Sequence, residues 1–317
     1  MPKIAILSTL LLTACFGGKG IKIYNQATPA ARQADDYVAT DSPKAVRGAK
    51  RIAIPYFQVE FVQQSAASAF SMGSGTSKLV VTLTGVEKRQ FASMADDFYD
   101  AVAADLTKAG LEVVPLETLR ANPEFQKLAS HGLKPSPDRV EHFDNISDFY
   151  APHGLQIYYL GADRRITGEA TQKKSKGSVI GGFSALGSML GSVYSSGQYS
   201  YQDEERALAK ALDARVLRVR VVVDFADVSA LGGYSATTGA VRLSFSAQDS
   251  FYVFVGPDGD SSFSLKEALI SGDGFAEKKK DGEHWEAAAD GAAYEASVRK
   301  HLEAFRQMVM TKVAQSL

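Results

Sequence analysis

The chain has 317 residues, 45% hydrophobic and 22% charged, which is an ordinary composition for a globular protein. Its formal net charge of -1 offers no basic excess to neutralise a phosphate backbone, so we expect no nucleic acid among its partners. A single cysteine excludes an intramolecular disulfide, and the fold must therefore be held by its hydrophobic core.

The N-terminal residues have the pattern of an export signal. Lys3 precedes an apolar run from Ile4 to Leu12, and two small residues then lead to Cys15. A helix from Ile4 to Ala14 would rise about 16 Å, which is too short for a hydrocarbon core of about 30 Å. We therefore predict that residues 1–14 are a signal peptide that is cut away, rather than a membrane span.

Leu12-Thr13-Ala14-Cys15 resembles the lipobox of bacterial lipoproteins. In that family a diacylglycerol is attached to the cysteine thiol and a fatty acid such as palmitate to its new amino group. The resemblance implies lipidation of Cys15, and thus attachment to a membrane. The alternative is an ordinary signal peptide with an incidental cysteine. Because Phe16, and not an acidic residue, follows the cysteine, the resemblance also implies sorting to the periplasmic face of the outer membrane.

Residues 15–49 are predicted to be a flexible, lipidated tether. They are rich in glycine, proline and aspartate and show no sustained hydrophobic periodicity. The alternative is that a strand near Ile21 to Tyr24 joins the main sheet. Residues 50–317 are then expected to form a single domain.

Strands and helices alternate along the first half of this domain. The predicted elements are strand 51–57, a Ser- and Gly-rich loop 65–77, strand 79–83, helix 91–109 ending at Gly110, strand 111–115, short helical turns near 125–129 within a polar stretch 117–152, and strand 154–161. This alternation indicates an α/β sheet.

The second half reads as antiparallel strands and a final helix. Leu217 to Phe225 alternates apolar residues with Arg218, Arg220 and Asp224, which predicts a strand that is apolar on one face only. Further elements are strands 241–245, 251–255 and 262–265, a turn at 257–260, and a helix from about Ala292 with Asp290 as its N-cap. The predicted fold class is therefore α/β (α+β), a mixed sheet with flanking helices and a C-terminal helix.

A Gly-rich insertion is predicted at about residues 166–202. Gly177, Gly181, Gly187 and Gly191 form two G-x-x-x-G pairs among apolar residues at helical spacing, a pattern that lets helices approach closely. Each glycine costs about 1 kcal/mol relative to alanine in an exposed helix, so such a helix needs a partner surface. Three interpretations stay open: a loop with local packing, self-association through these glycines, and contact with the membrane.

No established catalytic or metal motif is present. The best local group of metal-ligand types is Glu141, His142, Asp144 and Asp148, which we interpret as a solvated loop. The segment Asp258 to Asp260 fails the EF-hand pattern and is predicted to be a turn. Trp285, beside His284, is predicted to serve packing. We therefore expect no metal and no cofactor.

The order of elements resembles the curli-secretion lipoprotein family. The resemblance is carried by Cys15, the strand Arg51 to Phe57, the helix ending at Gly110 before Leu111 to Val114, and Val221 to Asp224 followed by Thr237 to Val241. Members of that family have an α/β domain like the N-terminal domain of the translocation protein TolB and act at the outer membrane as oligomers. In the secretion channel, two amphipathic hairpins of each subunit assemble the channel.

We accordingly expect a non-enzymatic envelope protein that binds protein partners or copies of itself in an assembly or export apparatus. One alternative is an oligomeric secretion channel, for which Leu217 to Phe225 could supply a spanning strand, although a half-buried sheet explains its alternation equally well. Another is a lipid-anchored hydrolase of cell-envelope polymers. That activity needs two carboxylates about 5 to 9.5 Å apart, from loops around Asp144 or Asp258.

Deleting residues Gly177 to Tyr194 tests self-association through the insertion. We expect the deletion to abolish oligomers of the natively lipidated protein while leaving its circular dichroism nearly unchanged, because the contact and not the fold is removed. Sedimentation in detergent provides the measurement. A deletion variant that still sediments as an oligomer would sink this interpretation.

Overall fold

The computed structural model describes residues 23–43, 46–71, 75–130, 135–142, 145–157, 164–165, 201–231, 236–247, 249–257 and 259–317. Cys15, the four glycines of the insertion, Asp144 and Asp258 lie outside these ranges. The helices within them are Ala34–Tyr37 (α1), Lys88–Lys108 (α2), Leu116–Ala121 (α3), Pro123–Ser130 (α4), Gln202–Leu212 (α5) and Gly291–Ser316 (α6).

One mixed sheet organises the described residues. Its strands are Val38–Asp41 (β1), Arg51–Ser71 (β2), Gly75–Thr84 (β3), Glu112–Val113 (β4), Asp138–His142 (β5), Asn145–Tyr150 (β6), Arg164–Arg165 (β7), Arg215–Leu231 (β8), Ala236–Phe245 (β9), Phe251–Gly256 (β10), Gly259–Leu265 (β11), Leu269–Ile270 (β12), Ala276–Asp281 (β13) and His284–Ala289 (β14). The main path runs β1-β11-β10-β8-β2-β3-β14-β13, and the predicted mixed α/β class is confirmed.

The centre of the sheet is a parallel pair, β2 with β8, which runs from Ile52 opposite Arg215 to Phe61 opposite Val223 with one register shift between Ala53 and Tyr56. Both strands are long and continue past this pairing. The second half of β2 turns back as β3, and the second half of β8 turns back as β9. Two hairpins therefore leave the parallel pair at the same end.

The predicted loop at residues 65–77 is wrong where the structure describes strand. Residues on either side of the hairpin turn pair from Gln64 opposite Thr82 to Ser71 opposite Gly75. Serine, alanine and glycine have weak β-propensity, but pairing with a neighbouring strand overrides such local preferences. The sequence pattern alone could not show that a partner strand was present.

Helices α2 and α6 cover one face of the sheet and bury the main core. Phe57 of β2 packs edge-on against Phe98 and Tyr99 of α2, with ring centroids 5.3 and 5.2 Å apart. The apolar stripe predicted for α2 is buried from Phe91 to Leu106, which confirms that helix. The Asp290 cap is also confirmed, because its carboxylate accepts hydrogen bonds from the amides of Ala292 and Ala293 at 2.9 and 3.1 Å.

Helices α3, α4 and α5 cover part of the opposite face with a second core that includes Tyr56, Leu128 and Leu208. The helical turns predicted near 125–129 are confirmed by α4.

Strands β5 and β6 were missed within the polar stretch 117–152. The strand predicted from Gly154 is wrong at its start, where Pro152–Gly154 forms a 3-10 turn. No helix among the described residues is long and apolar enough to cross a membrane.

The predicted tether is wrong for residues 23–43, which belong to the domain. Strand β1 adds to the sheet beside β11, from Val38 opposite Leu265 to Asp41 opposite Ser262. Tyr24 and Tyr37 are buried, their rings meet edge-on at 5.8 Å, and the amide of Tyr24 donates to the Ile270 carbonyl. Of the alternative strand near Ile21 to Tyr24, the described residues form a single bridge from Ile23 to Ile270, and Ile21 lies outside the described ranges. Burial of aromatic surface is what fixes this largely polar segment.

Gly85 lies in the turn that joins β3 to α2, and Gly110, which follows α2, provides a matched control for a test of that turn. Both have positive φ, +83° and +88°, but an added Cβ at Gly85 would lie 2.2 Å from the Ala289 carbonyl oxygen, whereas at Gly110 it would meet nothing within 4 Å. We expect Gly110→Ala to cost about 1 kcal/mol and Gly85→Ala clearly more. Urea denaturation measures both. Equal losses would contradict the close backbone approach.

Candidate functional site

Charged and polar side chains lie buried on the face of the central strands that is opposite to α2 and α6. Arg218 and Arg220 of β8 are 1% and 2% exposed, and Gln58 and Glu60 of β2 are each 2% exposed. The parallel register places Gln58 opposite Arg220 and so brings these residues onto one face. Together with Glu205 of α5, they are called the buried charged row below.

Two ion pairs neutralise the arginines of the row. Arg220 Nη2 lies 2.7 Å from Glu60 Oε2, and its guanidinium also stands 5.3 Å from the centre of the Phe149 ring. Arg218 Nε lies 2.9 Å from Glu205 Oε1. Because Glu205 belongs to the first turn of α5, this second pair fastens that helix onto the sheet. The sequence predicted the polar face of β8 but not these partners, because Glu60 comes from a distant strand and Glu205 from the helix that precedes β8.

Burial raises the pKa of two acids, Glu205 of the row and Asp224 farther along β8. It raises the pKa of Glu205 to about 7, against the opposing effect of the Arg218 guanidinium. Burial also raises the pKa of Asp224 to about 6, although that carboxylate accepts hydrogen bonds from the Phe225 and Ala226 amides and from Ser65 Oγ. Glu205 therefore titrates near neutral pH.

The carboxylates of the row form buried ion pairs, and they are not exposed as a catalytic acid and base would be. Both of its carboxylates face an arginine, and breaking either pair would leave a charge in a dry interior. Among the described residues, neither polar atom of the Gln58 amide has a hydrogen-bond partner. We interpret the row as a device that positions α5 against the sheet.

The residues singled out as metal-ligand types lie on strands, so the solvated-loop interpretation is wrong for those that are described. Glu141 and His142 end β5, while Asp148 of β6 accepts hydrogen bonds from Arg139 Nε and Nη2 at 2.7 and 3.0 Å. Within the described ranges, no three His, Cys, Asp or Glu side chains form a group suited to a metal ion. Asp144 and Asp258 lie outside those ranges.

Trp285 lies on β14, the strand next to the last one on the main path of the sheet. It is partly buried against the main core, as predicted, and a Cβ added at Gly239 of β9 would lie 3.0 Å from its ring. Two ammonium groups face the same indole: Lys278 Nζ is 3.9 Å and Lys280 Nζ 5.1 Å from the ring centre. Burial and then the charge of Lys280 lower the pKa of Lys278.

Strand β13, which carries these lysines, ends the main path of the sheet. In the described part of the chain it pairs only with β14, and its side chains from Glu277 to Asp281 are exposed. None of Lys278, Lys279 and Lys280 forms an ion pair with another described residue. These three lysines and Trp285 are called the lysine edge below. A run of lysines beside the single tryptophan was the available sequence signal, but its meaning depends on cross-strand pairing.

Comparison of the chain with protein-family models, with curated proteins and with solved structures gives no match.

The raised pKa of Glu205 predicts how stability depends on pH. Because the folded state holds this proton more tightly than the unfolded chain does, the contribution of Glu205 to stability should fall as pH rises from about 4.5 to about 7, by at most about 3 kcal/mol. Glu205→Gln should remove this slope. Urea denaturation of both proteins across the range measures it, with exposed Glu117→Gln as the control. Parallel pH profiles for wild type and Glu205→Gln would contradict the assignment.

Proposed function

We propose that this chain is a non-enzymatic lipoprotein, anchored through lipid on Cys15 at the periplasmic face of the outer membrane, that binds protein partners within an envelope assembly or export apparatus. The lipobox Leu12 to Cys15 supports the anchor. The chemistry of the described residues supports binding more than catalysis, because Glu60 and Glu205 of the buried charged row are at most 2% exposed and each lies against an arginine.

The observation that carries the binding function is the lysine edge. An edge strand presents backbone N–H and C=O groups that another chain can pair with, and proteins commonly restrict such edges with lysine. Here strand β13 is six residues long and exposed from Glu277 to Asp281, and its three lysines form no ion pair within the described chain. It combines cations with an aromatic ring, a residue type enriched in protein interfaces.

A second candidate is the oligomeric secretion channel of the family that the chain resembles. The observation in its favour is that β2–β3 and β8–β9 leave the parallel pair as two hairpins at one end. Against it, residues of both hairpins, such as Leu79, Val81, Leu243 and Phe245, are buried in the main core of this chain. Conductance in planar bilayers separates the candidates, because only a channel would give discrete openings.

Substitution of the lipidated residue tests the anchor. We expect Cys15→Ser to move the protein from the membrane fraction to the soluble fraction and to abolish incorporation of labelled palmitate, since no other cysteine is present to carry the diacylglycerol. Thr13→Ser, a conservative change in the same motif, should retain both. Membrane attachment that persists in Cys15→Ser would refute the anchor.

Partner binding is tested with a photo-crosslinking residue at Lys279 of the lysine edge, in the natively lipidated protein in its own cells. A crosslinker at Lys127, an exposed lysine on α4, provides the matched control. We expect discrete high-mass products from position 279 and none from position 127. No product at position 279, together with a monomeric mass by light scattering after detergent extraction, would remove the binding function.

A further inference from the structure

The backbone of the lysine edge determines what kind of ligand can bind there. Among the described residues the outer side of β13 has no strand beside it, so its outward N–H and C=O groups are available over Ala276–Asp281. An extended segment that pairs with such an edge gains main-chain hydrogen bonds along its length. A globular surface without a free strand could not satisfy these groups in the same way.

The side chains of the edge determine the charge of that segment. Lys278 and Lys280 are two residues apart, so they lie on the same face of the strand, and both face the Trp285 ring. Lys279 points to the other face, opposite Glu286, whose carboxylate already accepts a hydrogen bond from Thr84 Oγ1 at 2.6 Å. Three ammonium groups thus occur in three consecutive residues without a carboxylate partner in the described chain.

A second copy of β13 is a poor occupant of this edge. Antiparallel pairing of two copies centred on Lys279 would place Lys279 opposite Lys279 and Lys278 opposite Lys280, and like charges directly opposite each other are destabilising. Glu277 and Asp281 flank the lysines and would repel an acidic segment that extends far beyond them. Charge complementarity therefore favours a partner whose carboxylates are confined to about three or four central residues.

We propose that the lysine edge binds an extended acidic segment of another protein, which adds to the sheet as a strand beside β13. Alternate carboxylates of this segment lie against Lys278 and Lys280 over the Trp285 ring, and its backbone pairs with β13. This inference rests on the proposed partner-binding function and adds the chemical class of the partner.

The single tryptophan makes binding directly measurable, because all tryptophan fluorescence of the chain comes from Trp285. The probe is an eight-residue peptide with glutamate alternating with valine at its centre, titrated into the full mature chain. One control peptide has lysine in place of glutamate. Another has the acidic sequence with alternate backbone nitrogens methylated, which keeps the charge but removes strand pairing.

We expect a saturable change in fluorescence with the acidic peptide only, weakened by added salt. Replacing all three lysines, as Lys278→Gln, Lys279→Gln and Lys280→Gln, should lower the affinity about tenfold, since each exposed charge pair contributes a few-fold. The matched control removes the same charge elsewhere, with Lys50→Gln, Lys88→Gln and Lys127→Gln, and should bind as the wild type does. Circular dichroism checks that both variants fold.

Three results would overturn the proposal: no saturable change, equal binding of the methylated peptide, or equal binding of the lysine peptide. The first would remove strand addition by an acidic segment, and the second would show that the attraction is electrostatic without strand pairing. If the peptides fail while crosslinks at Lys279 persist, strand addition is wrong and the binding function stands. If both fail and the extracted protein is monomeric, both proposals are wrong.

Discussion

The parallel pairing of β2 with β8 is the constraint on which the rest of the structure depends. It aligns two strands from segments about 160 residues apart, Ile52 to Phe61 and Arg215 to Val223, and so decides which side chains share a face. One face is apolar and receives α2 and α6, whereas the other receives α5 over Arg218. A slip by one residue would exchange the two faces and place arginines in the main core.

The buried charged row explains why α5 docks in one position. A buried ion pair adds little net stability, because the cost of removing both charges from water offsets their attraction. Losing one partner is nevertheless expensive, on the order of 3 to 5 kcal/mol, since the other charge is then stranded. Any shift of α5 that separates Glu205 from Arg218 incurs this penalty. The pair therefore fixes the position of α5 by making other positions unfavourable, and not by adding much net stability.

Local patterns were sufficient where the interacting groups are close in sequence. The stripe of α2, the alternation of β8 and the Asp290 cap depend on residues within a few positions of each other, and all were predicted. Features that depend on strand pairing were missed, both the distant pairing of β1 with β11 and the pairing of Ser65 to Ser71 with the neighbouring strand β3. The contact of Arg218 with Glu205 and that of the lysines with Trp285 join residues closer in sequence, but each depends on how two elements pack or pair, which local periodicity does not show.

The ordered N-terminal segment changes how the domain would sit at a membrane. From the lipid that we propose on Cys15 to Ile23, where the described fold begins, there are eight residues, which span at most about 28 Å when fully extended. A flexible tether that extended to residue 49 would have allowed the domain to move several times farther from the membrane surface. If Cys15 is lipidated as proposed, the short connection would keep Ile23 within roughly one bilayer thickness of the lipid surface. The domain would then meet mainly partners that lie close to the same membrane.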